Sequence, residues 1–184
     1  MRTLIAAAAL SLIGAPVAFA QSTTATAGPL PVTGNVPSLC TAGTVAGGNS
    51  VFGLGVLINT STGFLLDTLA APAKIVTGSF CNSQSTITIT ATPMTAQSST
   101  GTPPAGFANA VNFTATATGW TTNAAQTTTG AASNPAASQS RTTPFSGDIS
   151  VGVSGFSPVG GTSLRMVSDP AYRGSVTLTL SAAT

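Results

Sequence analysis

Two cysteines, one lysine and three aspartates are the residues in this chain whose types could do chemistry. Cys40 and Cys81 are the only cysteines. After an export signal the expected product of such a pair is one disulfide. The other readings are two free thiols or a metal site, and the sequence supplies no further soft ligand for a metal. A bridge between positions 40 and 81 closes a loop long enough for about 4 kcal/mol of chain-entropy stabilisation. General acid–base work calls for a histidine or paired carboxylates. Histidine and glutamate are absent, and Asp67, Asp148 and Asp169 lie far apart in the chain. A Ser–Lys dyad would need Lys74 desolvated beside a serine such as Ser79, and the surrounding residues read as an ordinary strand. No oxygen-rich loop suggests calcium. The expectation is a protein that is not an enzyme, with no catalytic residue, no metal and no cofactor.

The first twenty residues, MRTLIAAAALSLIGAPVAFA, carry a positive start at Arg2, an apolar stretch and a closing Ala18-Phe19-Ala20. This is the pattern of a secretory signal peptide cut after Ala20. No later run is apolar and long enough for a transmembrane helix, so none is expected after cleavage. Removing Arg2 leaves Lys74, Arg141, Arg165 and Arg173 against the three aspartates. Four scattered cations cannot form the basic stripe that nucleic-acid binding requires. Charged residues make up 4% of the chain, yet mean hydropathy is +0.41. That combination, rich in Thr, Ser, Ala, Val and Gly, fits a β-protein with a hydroxyl-covered outer face rather than a disordered chain.

Strands must position whatever site exists, and their period of two is legible. In Ser85 to Thr92, Ile87, Ile89 and Ala91 share one face and Thr86, Thr88, Thr90 and Thr92 the other. Val111, Phe113, Ala115 and Ala117 repeat the pattern, as do Ile149, Val151 and Val153, and then Val176, Leu178 and Leu180. Such alternation marks half-buried strands. Val51 to Ile58 also alternates, through Phe52, Leu54, Val56 and Ile58, with glycines opposite. AKIVTGSF, ahead of Cys81, reads as another strand. Many short strands separated by Pro, Gly and Asn clusters predict an all-β fold, an antiparallel β-sandwich of about seven to nine short strands with one disulfide. The expected organisation is a cleaved signal at 1–20, an extended segment at 21–31, and one sandwich domain at 32–184 with a long polar loop at 121–147.

Leu30 to Gly34 spells LPVTG, a match to the sortase sorting tag. Such a tag is followed by an apolar segment and a basic tail, and here the chain runs on to TLTLSAAT. The match is read as coincidence. The same residues read better as a strand in which Leu30, Val32, Val36 and Cys40 face the core, with Pro31 and Pro37 at an edge. Asn59-Thr60-Ser61 and Asn112-Phe113-Thr114 fit the glycosylation pattern, but the Ala-rich signal has a bacterial character. Trp120 and Tyr172 could stack on a ligand or plug the ends of the sandwich, and the plug is the commoner fate. Asp169-Pro170 reads as a turn before the last strand.

A strand leading to Cys40, then SVFGLGVLI, then Cys81 before STITITAT, and finally Tyr172-Arg173-Gly174 into VTLTL together resemble the spore coat protein U domain. That family includes the archaic chaperone–usher pilins. The resemblance covers most of the chain after the signal, and its motifs are short. It implies an immunoglobulin-like sandwich whose disulfide joins the first strand to a later one. It also implies export to the periplasm, folding with a periplasmic chaperone and usher, and assembly with like subunits into a surface fibre by strand exchange. Two features depart from the family pattern. The chain ends in SAAT rather than an aromatic residue, and the segment at 21–31 offers only Ala25, Ala27 and Leu30 as apolar donor positions. The competing expectation is a self-contained secreted binding module for a surface glycan or protein, using loops such as 121–147.

Overall fold

The computed structural model describes residues 26–183. The signal segment at 1–20 and the donor position Ala25 lie outside the described residues. The chain divides into two units, Met1–Asn35 and Val36–Thr184. In the first, residues 26–35 form no regular structure and all are exposed. Leu30 is 83% exposed and Val32 98%.

The second unit holds eleven strands: β1 (Cys40–Thr41), β2 (Thr44–Val45), β3 (Lys74–Cys81), β4 (Ser85–Ala96), β5 (Phe107–Ala108), β6 (Ala110–Thr118), β7 (Ala125–Thr128), β8 (Ser138–Arg141), β9 (Phe145–Pro158), β10 (Arg165–Met166) and β11 (Tyr172–Ala182). Nine belong to one curled antiparallel sheet in the order β1-β3-β9-β6-β4-β11, with β2 beside β3, β7 beside β6 and β8 beside β4. β5 and β10 form a small parallel pair. No helix among the described residues is long and apolar enough to cross a membrane.

The alternating faces lie where their sequence puts them. Ile87, Ile89, Val111, Ala115 and Ile149 are fully buried, and Phe113, Ala117 and Val151 nearly so. The opposite face of β4 carries threonines that pair with hydroxyls on both neighbours. Thr88 meets Ser138 at 2.9 Å and Thr92 meets Ser175 at 2.9 Å. Such cross-strand pairs satisfy polar groups without charge. Trp120 is 1% exposed, donates its indole N–H to the Ser85 hydroxyl at 3.3 Å, and meets the Phe145 ring edge-on at 5.1 Å. It is a core plug. The Arg141 guanidinium lies 3.9 Å from the Phe145 centroid and donates to the Trp120 carbonyl.

Three expected elements differ. The strand placed from Leu30 to Cys40 begins only at Cys40, and Val36 is 82% exposed rather than core-facing. Pro31 and Pro37 remove ladder donors. The Asn82 side chain takes the backbone at 37–39 instead, accepting from Leu39 N–H at 2.7 Å and donating to the Pro37 carbonyl at 2.9 Å. The polar stretch 121–147 is not a loop. It contains β7, a short 3₁₀ turn at Pro135–Ala137 and β8, with Ala125, Thr127 and Thr129 buried. Threonine fits here because its hydroxyl finds partners inside; Thr129, just past β7, donates to Asn112 Oδ1 at 3.1 Å and accepts from Phe113 N–H at 2.9 Å. Finally, Val51 to Leu57 alternates in sequence yet forms no strand.

Candidate functional site

β11 pairs with β4 through ten register positions, from Tyr172↔Ala96 to Ala182↔Ser85. Its other edge has no partner strand among the described residues. On the far side of the curl, β9 pairs with β3 only as far as Val151. From Gly152 to Pro158 it is held by β6 alone. The curled sheet is therefore open between β9 and β11 at one end. The opening is a groove of about 640 Å³. Phe113 from β6, Val153 and Phe156 from β9, Met94 from β4, and Tyr172 and Val176 from β11 line it. The floor is aromatic and aliphatic, with the Phe113 and Phe156 rings 6.0 Å apart.

Local sequence explains why each wall stands where it does. Gly155 has φ of +63°, and the β6–β9 register slips between Asn112 and Thr114. That bulge turns Phe156 inward three residues after Val153. The β4–β11 register slips between Arg173 and Ser175, where Pro93 and Met94 of β4 face the single residue Gly174. Gly174 stands opposite that bulge, with Thr92 O only 2.7 Å from where a Cβ would stand, so a side chain there would collide with β4. β4 is thus the bulged strand at the mouth of the groove, while Val176, Leu178 and Leu180 stay packed on the core.

The segment Ser50 to Leu57 runs along the groove without joining the sheet. Phe52 and Leu54 line the opening, yet no backbone N–H from Phe52 to Leu57 finds an acceptor among the described residues. Backbone donors normally have partners. Here a strand-forming sequence has none, because β3 is already flanked by β1, β2 and β9 and Gly55 turns the chain with φ of +69°. Only at Leu57 and Asn59 does bonding resume, with Leu66 N–H reaching the Leu57 carbonyl at 2.9 Å. Lys74 stands over the Phe52 ring at 6.0 Å.

Charge at the groove is sparse, with Arg173 at its rim. Below it, Asp169 lines an adjoining hollow with Phe52 to Ile58 and Met166. Its carboxylate accepts N–H bonds from Ala171, Ser98 and Ser99. Those bonds, Ala171 first, hold its pKa below the ordinary aspartate value against an opposing desolvation effect. Tyr172 donates to the Val167 carbonyl at 2.7 Å. Burial, and then the nearby Asp169 charge, push its phenol pKa up.

The other residues singled out by sequence fall as follows. Cys40 and Cys81 are bonded to each other across the β1–β3 pair. Ala27 and Leu30 are exposed and outside any strand. Lys74 and Ser79 are not brought together: Ser79 is buried and donates to the Ala42 carbonyl at 2.6 Å. Asn59 Oδ1 caps its own turn by accepting from Ser61 N–H, and Asn112 holds Thr129. Among the described residues no three His, Cys, Asp or Glu side chains cluster as metal ligands. Sequence reasoning missed Phe156 and Met94, since each sits past a break in its strand's alternation. The dipeptide Ser154-Gly155 ahead of Phe156 was the available signal of a bulge. Comparison with family models, curated proteins and solved structures finds no match for this chain.

Proposed function

We propose that this protein is an exported structural subunit of a bacterial surface fibre or coat, and that subunits join by strand addition. The observation that carries the reading is the unpaired outer edge of β11 beside an open apolar groove. A long free strand edge is a liability that folded proteins cover, shorten or charge. β11 is eleven residues long and carries one charged residue, Arg173, at its start. An added strand supplies main-chain bonds for affinity and alternate side chains for the groove. Low charge removes the repulsion that would oppose close packing of like subunits. A groove this apolar needs cover between export and assembly, the task of a periplasmic chaperone. The test is sedimentation of the exported chain at rising concentration. Concentration-dependent linear assemblies support the reading. A chain that stays monomeric throughout overturns it.

A further inference from the structure

β5 and β10 pair in parallel, Arg165 beside Phe107 and Met166 beside Ala108. On the other side of β10, Phe64 forms a bridge with Arg165, and Met166 N–H donates to the Gly63 carbonyl at 3.1 Å. Three short segments therefore lie side by side, and residues paired across them share a face. Leu65, Met166 and Ala108 turn inward and build the second apolar cluster. Phe64, Arg165 and Phe107 form the opposite row. Arg165 is exposed and Phe107 is 40% exposed. Each phenylalanine lies one strand spacing, about 4.8 Å, from the arginine between them.

The guanidinium in this row is held in place. Its Nε–H donates to the Thr62 carbonyl at 3.0 Å, and its centre lies 4.7 Å from the Phe64 ring centroid. The stem packs over Gly63, where an added Cβ would stand 3.3 Å from Arg165 Cδ. Fixing a long side chain costs rotamer entropy. No ion pair offsets that cost, since no carboxylate among the described residues pairs with Arg165. Its two terminal nitrogens have no acceptor among the described residues either. Those two nitrogens are the pair that grips a carboxylate through parallel bonds.

We propose that this row binds the uronate groups of an acidic polysaccharide, with the carboxylate on the terminal nitrogens of Arg165 and the sugar ring against Phe107. Charge favours a carboxylate over a phosphate. The other cations are placed elsewhere: Arg141 on Phe145, Lys74 over Phe52 and Arg173 at the groove rim. One guanidinium balances one negative charge, and a phosphate would bring close to two. A sugar is favoured over a peptide because a peptide carboxylate brings amides that need a strand edge, and β10 already has a neighbour on each side. Sugar hydroxyls find partners instead in Thr62 and Ser163, both exposed and within two residues of the row. A lone exposed ion pair is weak, which suits a ligand that offers the same carboxylate at every repeat. None of the three row residues lines the groove, and the site does not depend on strand addition.

The test passes the exported chain over immobilised polygalacturonate and over the same polymer fully methyl-esterified, reading affinity by surface plasmon resonance. The acid form binds and the ester does not. Arg165→Gln weakens binding about tenfold, and Phe107→Ala about threefold. Arg165→Lys keeps the charge but loses the fork, so it also weakens binding. Lys74→Gln removes the same charge elsewhere and leaves binding unchanged. Trp120 fluorescence melts check that each variant is folded. Equal binding to the ester, or no binding to either polymer, overturns the proposal. So does Lys74→Gln costing as much as Arg165→Gln, or Arg165→Lys binding as well as the unmodified chain. Tighter Arg165-dependent binding to immobilised polyphosphate, or to a peptide through its C-terminal carboxylate, overturns the choice of ligand. If Arg165→Gln does not fold, Arg165→Lys, Phe107→Ala and the ester comparison decide.

Discussion

Replacing both cysteines, Cys40→Ala together with Cys81→Ala, should remove about 4 kcal/mol of stability. The bond closes a loop with a sequence separation of 41. For that loop the chain-entropy relation gives roughly 13 cal/mol/K, which is about 4 kcal/mol at 25 °C. A smaller packing loss, about 1 kcal/mol, comes from Cys81, which is 2% exposed in the core. Against a typical total of about 5–15 kcal/mol, this is a large share. The structure adds a local consequence. β1 is two residues long and is held by β3 alone, so without the bond it depends on the Asn82 clamp. The chain has one tryptophan, and Trp120 is buried, so urea unfolding followed by its fluorescence reports the core directly. The expected result is a midpoint shift worth about 4–5 kcal/mol with a modestly larger m-value, because the uncrosslinked unfolded chain exposes more surface. A loss below about 1.5 kcal/mol would refute the reasoning, since the unfolded chain would then not be constrained by the bond.

Three further outcomes are expected. Ile89→Asp forces an unpaired charge into a fully buried site and should cost at least about 4 kcal/mol, while Thr88→Asp on the opposite face should cost about 1 kcal/mol or less; urea titration of both variants checks the strand parity, and the reverse order contradicts it. Gly43 has φ of +79° and its Cβ position collides with the Thr77 carbonyl, so Gly43→Ala should cost about 2 kcal/mol or more, measurable in the same assay. The depressed pKa of Asp169 means its contribution is fully present above the ordinary aspartate pKa and is lost as pH falls through the lower folded value. The melting-temperature gap between the unmodified chain and Asp169→Ala should therefore be widest at neutral pH and narrow only below about pH 4; a gap that closes near pH 6 is inconsistent with it.

The fold was legible wherever apolar and polar residues alternate strictly. Ile87 and Ile89, Val111 to Ala117, and Ile149 and Val151 declare strand, face and burial together, because large side chains leave a period-two pattern one way to be buried. The cysteine pair was legible for a different reason: a sequence pattern read as an export signal and the absence of other soft ligands leave few alternatives. What the sequence concealed has physical causes. β7 and β8 are built from Ala, Gln, Ser and Thr, which carry little hydropathy contrast, so their pairing with β6 and β4 depends on hydroxyl partners far away in the chain. Val51 to Leu57 and Leu30 to Val36 show good alternation without a strand, because alternation specifies a face and says nothing of whether a sheet edge is available. The groove is lined in part by Phe52 and Leu54 of the first of these segments. Its walls come from where β3 stops pairing with β9 and from bulges at Gly155 of β9 and at Pro93 and Met94 of β4, which are register events rather than residue patterns.

The central claim is that β11 and Phe52–Leu57 are two edges awaiting one strand. Amide hydrogen exchange on the isolated subunit and on the assembled form measures this directly. In the isolated subunit, the β11 amides that do not bond β4, and those of Phe52–Leu57, should exchange rapidly while β4 and β6 are protected. On assembly both sets should become protected together. Protection of the β11 outer edge already present in the monomer, or its absence in the assembly, would contradict the account.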